Sequence, residues 1–115
     1  MDLKDLLNET DSFEIDYNGH HTAGVYYKNK ITPNYLDELK KLEAEGDNGT
    51  EQGYKIIADS IQSWDMTNGG EPYPPTQENL RQVPIGLLVK LGGRLIELQT
   101  GNFTNGASSP SGSQQ

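Results

Sequence analysis

Phe13, Ile15 and Tyr17 alternate with Glu14 and Asp16, a period of two that predicts a β-strand. Asn18-Gly19 follows, a dipeptide that tolerates the positive φ angles of a tight hairpin turn. Val25, Tyr26 and Tyr27 lie on the return, so a β-hairpin is expected over residues 12–28. Ahead of it, Leu3, Leu6 and Leu7 fall on one side of a single helical turn between Asp2 and Asn8. After the hairpin the apolar period changes to that of a helix. Tyr35, Leu36, Leu39 and Leu42 predict a helix over residues 33–45, with Thr32 as N-cap, Pro33 at the first helical position and Gly46 at the end. Tyr54, Ile57, Ala58, Ile61 and Trp64 keep helical spacing and predict a second helix over residues 50–64.

Asn68-Gly69-Gly70, Pro72, Pro74 and Pro75 then exclude helix and read as a turn leading into a stiff extended strap. Thr76 caps a short helix over residues 77–82, and Pro84 launches a last one over residues 84–98. That last helix carries two apolar stripes. Ile85, Leu88, Val89, Gly92 and Ile96 form one; Leu87, Leu91, Leu95 and Leu98 form the other. Together they exceed what one small core needs. Residues 100–115 lose charge, and from Thr104 onward the chain has no aromatic or large aliphatic residue, so a disordered tail is expected. The expected fold is α+β: an N-terminal β-hairpin followed by a small bundle of three to four helices, forming a single small domain over residues 1–99. Its core is expected from Phe13, Ile15, Val25, Leu36, Leu39, Ile57, Ile61, Trp64, Leu80, Leu88 and Leu91.

Charge narrows the partners. The 115 residues carry 17 acidic against 9 basic side chains, net −8, so no basic footprint is available for phosphates or an anionic membrane. A neutral or basic protein fits better. Hydrophobic residues make up only 32 % and mean hydropathy is −0.75, so the core is thin and self-association would help complete it. No cysteine is present, which excludes disulfides, thiolate metal sites and a thiol nucleophile. Met1 to Asp11 lacks the pattern of a signal peptide, and the apolar run Ile85 to Leu98 is too short to span a bilayer. The sequons at Asn8, Asn48 and Asn102 are therefore read as chance matches.

Candidate chemistry is sparse. His20 and His21 are the only histidines, and neighbours on a strand point to opposite faces, which does not suit one metal. Asp37, Glu38 and Glu43 read as a solvated helix face. Ser60 and Ser63 have no histidine beside them. Gly92-Gly93 lies inside an apolar helix, where no phosphate loop belongs. Asp47, Asn48 and Glu51 lack calcium-loop spacing. No catalytic, metal or cofactor residue is assigned, and the expectation is a non-enzymatic protein that works by contact.

The densest motif is Ser63 to Pro84: Ser63-Trp64-Asp65, the Asn68-Gly69-Gly70 turn, Pro72, the strap Pro74 to Leu80, and the Val83-Pro84 step into the last helix. With Ile31-Thr32-Pro33 upstream, this order resembles the tail assembly chaperones of long-tailed bacteriophages over residues 12–98. In that pattern the tryptophan triplet ends a helix, and the strap leads to a final apolar helix. Gly92-Gly93 departs from it. The resemblance implies binding of the tape measure protein and recruitment of tail tube subunits, in the host cell cytoplasm, with absence from the mature virion. It also implies a longer frameshifted product in some phages, for which the Ser/Gly/Gln tail would be a linker. A structural neck or head–tail completion component is the alternative, and a small hydrolase a third reading. The contact residues expected are Trp64, Tyr73, Leu87, Leu91, Leu95 and Leu98.

Overall fold

The computed structural model of the chain describes residues 1–106. The hairpin pairs β1 (Thr10–Tyr17) with β2 (His20–Tyr27) in antiparallel register, Tyr17 opposite His20. Asn18 and Gly19 take φ of 52° and 84°, the left-handed values that the turn requires. Before the hairpin, α1 (Leu3–Leu7) is capped by the Asp2 side chain, which accepts from the Lys4 amide at 2.9 Å.

A third strand corrects the expected hairpin-only sheet. The helix expected over residues 50–64 ends at Ser60: α3 spans Thr50–Ser60, and β3 (Ile61–Trp64) turns away to pair antiparallel with β2. The sheet order is β1-β2-β3, with β2 central. A two-stranded hairpin is marginal alone and leaves the amides of β2 unpaired on its outer side, and β3 satisfies them. Trp64 therefore closes a strand, and the Ser-Trp-Asp triplet does not end a helix as the tail-chaperone pattern has it.

Register fixes which side of the sheet is buried. Phe13, Ile15 and Tyr26 point to the core, with Gly24 opposite Phe13 and Trp64. Val25, expected in the core, falls on the other face and is only partly buried. The rings of Phe13 and Tyr26 meet edge to face at 6.3 Å.

The helices α2 (Pro33–Ala44) and α3 form a hairpin closed at Gly46 and Gly49, both left-handed at φ 102° and 104°. Thr32 Oγ1 accepts from the Tyr35 amide at 3.2 Å and so caps α2 as expected. Tyr35 is buried and donates its hydroxyl to Asp59 at 3.0 Å, while Lys55 bridges Asp59 at 3.1 Å and Glu38 at 3.2 Å. Burial, then Asp59, pushes the Tyr35 phenol well above its usual range, so it stays a neutral donor. Leu36 was expected in the core but is 47 % exposed, because Tyr35 is the side chain that α2 turns inward; Leu39 is half-buried.

Asp47 caps α3 in place of an N-cap side chain. Its carboxylate accepts from the amides of Gly49 (3.1 Å), Glu51 (2.9 Å) and Gln52 (3.1 Å). The bond from the Glu51 amide is the largest cause holding its carboxyl below the usual range. A carboxyl lowered by folding stabilises the fold above its unfolded pKa, and that support is lost as pH falls through the lowered folded value. Asp47→Ala is thus expected to lower the thermal midpoint at neutral pH and to lose the difference from wild type in strong acid. Thermal melts from pH 7 down to 2 check this; an equal deficit at every pH would contradict it.

The strap carries β4 (Thr67–Asn68) and β5 (Glu71–Pro72), a minute hairpin turned by Gly69-Gly70, and then α4 (Gln77–Leu80), capped by Thr76 Oγ1. The last helix, α5 (Ile85–Gly106), runs seven residues past the expected boundary of domain and tail. Residues 100–106 continue it as helix. The remainder of the expected disordered tail, 107–115, lies outside the described residues. In all, five helices and two small sheets make a mixed α/β fold among the described residues.

Candidate functional site

The two stripes of α5 have opposite fates. Leu91 and Leu95 are 0 % exposed, Leu87 and Leu88 are buried beside them, and Leu98 packs partly on the same cluster. They meet Phe13, Ile15, Tyr26, Ile57 and Ile61 in one core. The expected contact residues Leu91 and Leu95 are thereby corrected: they hold the domain together and offer no surface, while Leu87 is buried to 9 % exposure in the same core. The rest of the other stripe, apart from buried Leu88, faces out. Ile85 is 67 %, Val89 70 % and Ile96 40 % exposed. Four leucines fill more volume than a stripe interrupted by glycine, so packing density selects the leucine side for the core.

The outward stripe forms one wall of a groove of about 250 Å³. From α5 come Ile85, Leu88, Val89, Gly92, Gly93 and Ile96. From α3 and its cap come Gly49, Thr50, Gln52, Gly53, Tyr54 and Ile56. The glycines leave it open: a Cβ at Gly49, Gly53, Gly92 or Gly93 would meet nothing within 4 Å. The polar side chains in this lining are those of Thr50 and Gln52, with the Tyr54 hydroxyl. Gln99, one turn beyond the groove, locks α5 in place, donating to the buried Ser60 hydroxyl at 2.9 Å and accepting from the Lys30 amide at 3.1 Å.

Trp64 and Tyr73 are joined, and both are half-buried. The indole N–H donates to the Tyr73 carbonyl, and the Tyr73 hydroxyl donates to the Asn79 carbonyl at 2.6 Å. Asn79 in turn donates from its side chain to the Pro74 carbonyl at 2.9 Å. This chain of bonds fixes the strap against the core and sets the entry of α5. The two residues act as anchors, with part of each ring still accessible.

The histidines divide as strand alternation requires. His21, on the outer face of the sheet, sits between Asp16 at 2.9 Å and Glu14 at 3.1 Å. Its hydrogen bond with Asp16 raises its pKa above the ordinary imidazole value. His20 lies opposite Tyr17 on the other face. Among the described residues no three His, Asp or Glu side chains converge in a way that could hold a metal. No described helix is long and apolar enough to cross a membrane. Comparison of the chain with protein-family models, with curated proteins and with solved structures finds no match.

Proposed function

We propose that this chain is a tail assembly chaperone of a long-tailed bacteriophage, binding the tape measure protein and helping to bring tail tube subunits to it in the host cytoplasm. The observation that carries the reading is the exposed apolar groove along α5, on the face of the helix beside its buried leucines. A small acidic protein with a thin core gains nothing in stability by leaving Ile85, Val89 and Ile96 in water, and such a patch suits a contact surface. The resemblance of Ser63 to Pro84 supplies the phage assignment.

Co-expression tests it. If the reading is right, the cognate tape measure protein is expected to stay soluble when the two are made together and to aggregate when it is made alone. Wild-type chain that leaves it insoluble would reject the reading. Mass spectrometry of mature particles is expected to find the chain absent; finding it in stoichiometric amount would favour a neck or head–tail completion component instead.

A further inference from the structure

Three features restrict what can fill the α3–α5 groove. The first is backbone satisfaction. The backbone N–H groups inside α3 and α5 are spent in their own helices, and Asp47 takes those of Gly49, Glu51 and Gln52 at the exposed start of α3. An extended peptide would bring unpaired amides and carbonyls into a lining with few partners to offer, whereas a helix satisfies its own. The second is shape. Ile85 to Ile96 spans about 16 Å along α5, the length of three helical turns. The absent side chains at Gly53 and Gly92 leave hollows that bulky knobs from a facing helix would fill.

The third is charge. The cations of α3 and α5, with Arg81 between α4 and α5, are already committed: Lys55 to Glu38 and Asp59, Arg81 to Glu51, Arg94 to Glu97, and Lys90 to the Asp16 carbonyl. Glu43 and Glu45, just before the Gly46–Gly49 corner, have no ion-pair partner among the described residues, but neither do Lys40 and Lys41 beside them, so the acidity a partner would meet is that of the whole chain, net −8. A second copy would bring another −8 against the first.

We propose that the groove receives a single amphipathic helix from a basic protein, with large aliphatic side chains at i and i+4 seated over Gly53 and Gly92 and lysines or arginines flanking that stripe. The proposal rests on the reading of the groove as a contact surface and names the chemistry of its occupant.

The test uses the full chain and fluorescein-labelled 16-residue peptides read by fluorescence anisotropy. One peptide has leucines at i, i+4, i+7 and i+11 with lysine flanks, the second has glutamate in place of lysine, and the third has a central proline that breaks the helix. The lysine peptide is expected to bind at least tenfold more tightly than either other. Gly53→Leu fills the groove from α3, and leucine is the better helix former, so the variant stays folded. It is expected to weaken the lysine peptide at least tenfold while keeping or raising the thermal midpoint. Equal binding of lysine and glutamate peptides, no binding of any, or equal binding by wild type and Gly53→Leu would overturn the proposal. So would a dimer in sedimentation equilibrium that Gly53→Leu dissolves, since a second copy would then be the occupant. Binding of the lysine peptide combined with an insoluble tape measure protein would uphold the groove chemistry while rejecting the phage function.

Discussion

Leu91→Ala is expected to destabilise the domain by about 2–5 kcal/mol, the range for removing a fully buried leucine without collapse of the cavity. Leu91 has no exposed surface and lies in the core cluster that the strands, α3 and α5 share, so no neighbour can move in from solvent to close the gap. Val89→Ala, two residues away on the same helix and 70 % exposed, is expected to change stability by no more than about 0.5 kcal/mol. A domain of this size holds only about 5–15 kcal/mol in total, so the first variant approaches the limit of folding while the second does not. Urea titration followed by the emission of Trp64, the sole tryptophan, measures both. A larger loss at Val89 than at Leu91 would mean that α5 is rotated and that the groove is really the core.

The second large effect is expected at Gly24. It sits in the middle of the central strand, opposite Phe13 on one side and Trp64 on the other. An added Cβ would lie 2.7 Å from Phe13 Cε1 and 2.9 Å from Cζ, and would press on the Ser63 backbone carbonyl. A ring can tilt, but the carbonyl belongs to β3 and can yield only by loosening the β2–β3 pairing. Gly24→Ala is therefore expected to cost about 1–3 kcal/mol, although alanine normally suits a strand better than glycine. A shift in Trp64 emission in the native state should accompany the loss, because Trp64 is Gly24's partner in the register. A variant as stable as wild type, with unchanged emission, would show that β3 does not close over Gly24.

Much of this was legible where local chemistry decides. Asn18-Gly19 fixed the hairpin turn, Thr32-Pro33 the start of α2, and Thr76 the start of α4. The strand β3 was hidden because Ile57, Ile61 and Trp64 continue the helical spacing of α3 without a glycine or proline to mark the break. What ends the helix is non-local: the open side of β2 captures Ile61–Trp64. One clue was present, since a lone glycine inside a strand often marks close approach of another backbone. The choice between the stripes of α5 also had a signal. Both are apolar, but Gly92 and Gly93 contribute no volume to the outward side, so the four leucines were the better filling for a core. Tyr35 against Leu36 in α2 had none, because the buried hydroxyl is accepted by Asp59, a residue supplied 24 positions later.

The central position of β2 also has a consequence in time. Its first partner strand precedes it by a two-residue turn, whereas Trp64, which pairs with Gly24 on the other side, comes roughly forty residues later. A ribosome adding about 5–20 residues per second needs roughly 2–8 s to make that stretch. Throughout that interval the β2 edge that β3 will cover has no partner, and an unpaired strand edge is a template for pairing with other chains. Slower synthesis across α2 and α3 is therefore expected to lower the yield of folded protein.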